Sequence, residues 1–247
     1  MSGTGAPAQG TGRTVWILWL QGEQAAPPLV RRCIESWRER NPGWQIRVLD
    51  AGMAEDLTDL PGLPEGTSMN HRANLIRLRL LARYGGVWVD ATALCRLPLD
   101  DWIDRAARTG FFAFARPQPI RSLANWFIAA RPGHPLLEAW RVWSENYLMA
   151  GKVQSYFWSH HTFDWLLKAD RRLRRSWAEV PRVSARGPHI VQRLLDGHII
   201  LPDPESADLL RQVPLFKLSW KKDYTPQDVE QVLRHYDAAG PGSHVGP

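Results

Sequence analysis

The chain has 247 residues, 44% of them hydrophobic and 23% charged, with a formal net charge of +6 and an isoelectric point near 9.7. That length and balance exclude a disulfide mini-scaffold, a collagen-like or coiled-coil protein and wholesale disorder, and predict one large domain. The longest apolar runs, Val15 to Leu20 and Phe111 to Ala115, fall far short of the roughly 20 residues that cross a bilayer.

Met1 to Gly12 carries no basic cluster followed by an apolar core, so residues 1–12 read as a solvated tail rather than a signal peptide, and a cytoplasmic location is expected. Thr14 to Leu20 reads as a strand. Pro27 to Arg40 reads as a helix, with Leu29, Cys33, Ile34 and Trp37 at helical spacing and Asn41-Pro42-Gly43 as its stop. Cys33 and Cys95 are the two cysteines, too few for a disulfide framework or a metal cluster, and both read as core filler. Gln45 to Leu49 is a second strand, ending at Asp50. A helix then runs from an N-cap at Thr67 or Ser68 to Tyr84, with Met69, Ala73, Ile76, Leu80 and Tyr84 as its apolar stripe and Gly85-Gly86 as its end. Val87-Trp88-Val89 is a short buried strand with Asp90 at its carboxyl end.

This alternation of strands with helices predicts an α/β sheet with crossover helices. Further on, Phe111 to Ala115 and Trp126 to Ala130 read as strands, Pro135 to Met149 and Tyr156 to Leu167 as helices, and His134 as a cap. Val213 to Lys222 is a last strand or loop, and Thr225 caps a helix over Pro226 to Tyr236. Residues 13–237 are expected to form the domain and residues 238–247 a second tail.

Open α/β sheets bind ligands beyond the carboxyl ends of their strands, which makes Asp90 a candidate site residue. Asn74 and Arg77, three apart on the preceding helix, share a face and could grip a sugar hydroxyl and a phosphate. The plainer alternative is that Arg72, Arg77, Arg79 and Arg83 form a solvated basic helix. His160 and His161 lie among Tyr156, Phe157, Trp158, Phe163 and Trp165, which form either an acceptor-stacking surface or core, with core as the default.

The run Asn74-Leu-Ile-Arg77, Leu80-Leu81, Tyr84-Gly-Gly-Val-Trp-Val-Asp90-Ala-Thr92 resembles the signature of the capsular polysaccharide synthesis protein family. That family is related to the GT-A glycosyltransferases with a sugar-binding DXD region. Trp16-Ile-Leu-Trp19-Leu-Gln-Gly22, Asn41-Pro-Gly-Trp44 and Asn125-Trp-Phe-Ile-Ala-Ala-Arg-Pro-Gly-His-Pro135 extend the likeness over Arg13 to Met149, and Lys217-Leu-Ser-Trp220 matches more faintly.

The resemblance implies a single GT-A-like domain, a Rossmann-like mixed sheet flanked by helices. It implies transfer of a hexosyl group from a nucleotide diphosphate sugar to a capsular or other surface glycan, with retention of configuration. Trp16 or Trp19 would stack on the base; Asn74, Arg77, Gly86, Asp90, Thr92, Lys217 and Trp220 would complete the donor site, with Asp90 and Arg77 as catalytic residues. A divalent metal, Mn²⁺ or Mg²⁺, is implied at Asp90. Two departures stand out: the wider superfamily's helix Asp is Asn74 here, and the second DXD acid is Thr92, which weakens the metal site. Lys217, Lys221 and Lys222 could then offset the charge of the leaving diphosphate, or form a solvated basic loop. The competing reading is a degenerate nucleotide-sugar or glycan binding module of the same fold. A nucleic-acid partner is not expected, because no DNA- or RNA-binding motif accompanies the basic charge. Arg171, Arg172, Arg174 and Arg175 could touch an anionic membrane surface beside a lipid-linked glycan acceptor, with a solvated face as the default.

Overall fold

The computed structural model describes residues 12–60, 62–151, 155–197, 210 and 212–238. The expected tails therefore fall almost wholly outside the described residues. Five strands form the main sheet: β1 (Thr14–Leu18), β2 (Gln45–Leu49), β3 (Gly86–Asp90), β5 (Phe111–Gln118) and β6 (Arg121–Ala130). Their order is β2-β1-β3-β6-β5, parallel among the first three and antiparallel from β3 onward. A separate antiparallel pair, β4 (Ala93–Cys95) and β7 (Leu215–Lys217), sits beyond the end of β3.

Helix α1 (Pro28–Arg40) joins β1 to β2 as a crossover, with Pro28 at its first turn, where a missing N–H costs nothing. Helix α2 (Ala51–Thr58) was not expected; Asp50, which ends β2, turns back to cap it, accepting from the Met53 N–H at 2.8 Å. Helix α3 (Met69–Tyr84) is capped by Ser68, whose hydroxyl accepts from the His71 N–H. The expected stripe on α3 is only half right. Ile76 and Leu80 are buried, but Met69 and Tyr84 at its ends are exposed, while Asn74, Leu75, Arg77, Leu78 and Leu81 are buried as well. The helix is covered on more than one side because it packs on both α5 (Pro135–Met149) and the sheet.

Gly85 and Gly86 close α3 and open β3 with φ of 65° and 98°, a region only glycine enters without strain. A Cβ on Gly86 would lie 2.5 Å from the Thr14 carbonyl oxygen of β1, so its lack of a side chain is what lets β3 pair with β1. After the short α4 (Ile103–Ala106), β5 and β6 form a hairpin with two register irregularities. At the first, between Ala113 and Ala115, the register slips so that Ala115 faces Leu123 of β6, and Ala115 also bridges the segment around Ser184, its N–H donating to Val183 and its carbonyl accepting from Ala185. Bulges of this kind re-aim side chains at the rim of a sheet, here opening the end of β6 where Arg121 to Trp126 lie.

Helices α5, α6 (Trp158–Ala169) and α7 (Arg171–Glu179) pack together, with α6 against β6 and His134 capping α5 as expected. The arginines of α7 are exposed, the default reading for them. A second apolar cluster, including Leu29, Cys33, Leu94, Ile190, Phe216 and Val229, ties α8 (Ile190–Leu195), β7 and α9 (Pro226–Ala238) onto α1. Thr225 and Asp228 cap α9 reciprocally, each side chain bonded to the other's backbone N–H. Both cysteines are buried, and burial pushes each thiol up to about 12, which leaves them inert filler. No described helix is long and apolar enough to cross a membrane.

Candidate active site

A cleft of about 720 Å³ opens where the carboxyl end of β3 meets the amino end of β6. The antiparallel register sets Val89 against Phe127, so Asp90 faces Trp126 and Asn125 across the rim. Residues from the start of α6 and from α8 close the sides, and Lys217 of β7 closes the base.

Asp90 is the hub. Its Oδ1 accepts from Trp88 Nε1 at 3.1 Å, two residues back on the same face of β3, and lies 3.4 Å from the guanidinium of Arg77. That guanidinium stacks over the Trp88 ring, 4.9 Å from its centroid, and donates to the Asn125 carbonyl. Arg77 is thus a buried cation held by a carboxylate, a ring face and a backbone oxygen, the compensation such burial requires. Desolvation draws its pKa down and Asp90 draws it back up; arginine stays charged throughout. The solvated-helix alternative fails for Arg77, and also for Arg79, which bonds Glu145 and the carbonyls of Thr58 and Asp59.

Asn74 is buried beside Arg77, and its Oδ1 accepts from Asn125 Nδ2 at 3.0 Å. Asn125 lines the cleft and Asn74 does not. The pair therefore presents one carboxamide to a ligand and uses the other to orient it.

Lys217 comes from the far end of the chain. Its ammonium donates to Thr92 Oγ1 at 2.6 Å and to the Leu218 carbonyl at 3.1 Å, and stands 4.0 Å from Asp90 Oδ2. Burial lowers its pKa and Asp90 opposes that. Lys222, on the rim, pairs with Asp196 at 3.2 Å, while Lys221 lies against the Trp220 ring.

Two sequence candidates stand away from the cleft. Trp16 is 2% exposed, with Nε1 donating to the Gly85 carbonyl and its ring between Tyr84 and Arg47, so it closes the amino end of β3 instead of meeting a base. Gly86 lies at that same end, about 13 Å of strand from Asp90, and its role is the close approach to β1. Trp19 fares otherwise: just past the end of β1, it meets Trp220 edge-on at 5.7 Å, and its buried Nε1 has no partner among the described residues. Trp220 is 45% exposed, and neither ring lines the cleft itself.

The sequence did not single out Asn125, Arg121 or His189, which all line the cleft. His160 was assigned to core by default and lines it as well. The one local signal was a carboxamide inside the apolar run Leu123 to Ile128. Arg121 is buried with its guanidinium stacked 4.1 Å from the Phe157 ring centroid. Burial together with Arg121 and Arg77 lowers His160 to about 3, and burial together with Lys217 lowers His189 to about 4. Both imidazoles are therefore neutral at pH 7, able to donate and accept towards hydroxyl groups. With Arg121, Arg186, Arg193 and Lys217 around them, they line a cationic cleft suited to a polyhydroxylated anion.

Among the described residues no group of three or more His, Cys, Asp and Glu is placed to hold a metal. The Asp90 and Thr92 pair does not fit a resident divalent cation as it stands. Thr92 Oγ1 already accepts from an ammonium, and Asp90 faces a cation on each oxygen. An ion about 4 Å from that ammonium would meet repulsion of about 4 kcal/mol per unit charge at an effective dielectric of about 20.

The mixed sheet flanked by helices, with a cleft at the carboxyl end of its parallel strands, is the GT-A-like architecture that the resemblance implied. The PaToxG Glycosyltransferase shares this fold, matching over 94% of this chain and 88% of its own with a TM-score of 0.51 at 11% identity. The chain belongs to the capsular polysaccharide synthesis protein family, whose model matches residues 6–236. Its relatives include the O-glycosyltransferase braB of Annulohypoxylon truncatum, 31% identical over 151 residues, covering 52% of this chain and 36% of that protein. The glycosyltransferase afumC of Aspergillus fumigatus is 32% identical over 151 residues, covering 52% and 38%. The matched stretch thus spans little more than a third of those relatives.

Proposed function

We infer that the protein is a glycosyltransferase that moves a hexosyl group from a nucleotide diphosphate sugar to a surface glycan or lipid-linked glycan. The observation that carries this reading is the juxtaposition, at the carboxyl end of β3, of one carboxylate, Asp90, with two cations, the buried Arg77 and the half-buried Lys217. It offers a polar hub for a sugar beside fixed positive charge for a diphosphate. Trp19 and Trp220 supply ring faces for the base, and Asn125, His160 and His189 supply hydrogen bonds for sugar hydroxyls.

In the transfer, the acceptor hydroxyl oxygen forms its bond to the anomeric carbon as the bond from that carbon to the diphosphate oxygen breaks. The electron pair stays on the diphosphate and the hydroxyl proton passes to that oxygen. Among the described residues, the carboxylates lining the cleft are each engaged, Asp90 by Arg77 and Trp88, Asp196 by Lys222. That supports same-face attack with retention over a covalent intermediate on a free acid.

The test is stabilisation of the purified protein by UDP, GDP, CMP and their sugar conjugates, each with Mn²⁺ and with EDTA, followed by donor consumption with glycan acceptors. A ligand that binds only the folded state raises the melting temperature by mass action. One selective donor shift with turnover supports the transferase; donor binding without turnover on a broad acceptor panel supports the degenerate binding module; no shift with any nucleotide refutes the donor site.

A further inference from the structure

The third position of the Asp90-Ala91-Thr92 run holds a threonine where a DXD region has its second acid, and the fold puts a lysine against it. Lys217 pairs with Ala93 in the β4–β7 register, so its side chain arises beside Thr92 rather than from a solvent loop. β7 is anchored by Leu215 and Phe216, both fully buried. Two of the three ammonium protons are committed, to Thr92 Oγ1 and to the Leu218 carbonyl. The distance to Asp90 Oδ2, 4.0 Å, is beyond hydrogen-bond reach, and Lys217 lines the cleft, so the third proton is left for a ligand there.

We propose that Lys217 is the built-in cation of the donor site: its ammonium, seated between Asp90 and Thr92, takes the place of a divalent metal ion and binds the nucleoside diphosphate directly. This rests on the donor reading above and specifies how that site neutralises charge. The argument is one of occupancy. An ion bridging Asp90 and Thr92 needs the Thr92 hydroxyl and the open side of the Asp90 carboxylate; the ammonium holds the first and faces the second. Asp90 Oδ1 is already taken by Trp88 and Arg77. A threonine at position 92 accepts from the lysine without adding charge, whereas an acid there would neutralise it. The arrangement leaves Arg77 and Lys217 with one carboxylate between them, an excess of positive charge facing the cleft before any ligand arrives.

The experiment uses the full chain with UDP, GDP and ADP as probes. Affinity is measured by calorimetry in EDTA and in Mn²⁺, and protein-bound Mn²⁺ is followed by electron paramagnetic resonance with and without the best-binding nucleotide. The expected result is nucleotide affinity in EDTA within about threefold of that in Mn²⁺, and a Mn²⁺ spectrum that the protein leaves unchanged beyond the nucleotide's own effect. Lys217→Met should weaken the nucleotide about 30-fold or more in EDTA, and Lys217→Arg should recover part of it. The double variant T92D/K217M, with the ammonium gone and the acid restored, should acquire nucleotide binding that Mn²⁺ strengthens. The wild-type comparison needs no variant to fold. Binding by the wild type that demands Mn²⁺ overturns this proposal and leaves the transferase standing; no binding of any nucleotide in either condition overturns both.

Discussion

The carboxamide pair at the cleft wall yields a measurement that separates positioning from contact. Asn74→Ala removes the acceptor of the Asn125 Nδ2 hydrogen bond, 3.0 Å long and 51 residues apart in sequence. A neutral hydrogen bond of this kind contributes about 0.5–1.5 kcal/mol net. Because Asn125 lines the cleft, its released amide finds water, so the cost lies near about 1 kcal/mol, about fivefold in an equilibrium constant. Asn125→Ala removes the same bond from the other side. Urea denaturation of the wild type, the two single variants and the double variant closes a cycle, with an expected coupling of about 1 kcal/mol, well outside the error for independent sites. Donor affinity, measured on the same four proteins with the nucleotide sugar that stabilises the wild type most, should fall about fivefold in Asn74→Ala. It should fall no further when Asn74→Ala is added to Asn125→Ala, since Asn74 acts only through Asn125. Additive losses of affinity would mean that Asn74 touches the donor itself, as the resemblance first implied, and would refute the relay.

Asp90→Asn keeps the shape of the hub and removes its charge, leaving Arg77 and Lys217 to repel one another; transfer should drop at least about 100-fold, and wild-type turnover by the folded variant would take Asp90 out of the site. Gly86→Ala should cost at least about 1–3 kcal/mol from its positive φ alone, with the Thr14 contact adding to it, yet leave nucleotide affinity of the folded fraction unchanged; a specific loss of affinity in urea-stable protein would return Gly86 to the donor site. Trp220→Ala should weaken nucleotide binding by about tenfold, given about 1–3 kcal/mol for an aromatic stacked on a base, and leave binding of inorganic diphosphate alone; equal losses for both ligands would contradict base stacking. His160 and His189, with folded pKa values of about 3 and about 4, bind fewer protons in the folded than in the unfolded chain below about pH 6.5. Stability that is complete above that pH should therefore fall as pH drops from about 6.5 towards 4, and His160→Gln should flatten the fall; an unchanged slope in that variant would show the imidazole to be solvated.

Local pattern carried the sequence reading as far as β3. The crossover α1, the capped α3, the Gly85-Gly86 stop and the placement of Asp90 at a strand end all depend on neighbours within one turn or one strand, which periodicity and capping residues report. Helix α2 was hidden because Gly52, Asp56 and Thr58 are weak helix formers, even though Asp50 is a good cap. The amino half of β6 was hidden by its polar residues. Arg121, Ser122 and Asn125 interrupt the strand pattern because that end of β6 is the rim of the cleft, so the very feature that makes it functional erased its signature.

The Asp-Ala-Thr run shows most plainly where one-dimensional reading stops. Read along the chain, Thr92 is a missing metal ligand, and Lys217 is one of three lysines near Trp220 with no ground for choosing among them. In the fold, 125 residues of separation close to 2.6 Å, Lys222 is drawn off to Asp196 and Lys221 to the Trp220 ring. Nothing local encodes that selection; it follows from the β4–β7 register and from the second apolar cluster that docks β7 on α1. The same contact changes what the threonine means. An acid at position 92 would compete for a cation from solution, whereas a hydroxyl accepts from a cation the chain already owns, so Thr92 and Lys217 work as one unit drawn from two ends of the sequence.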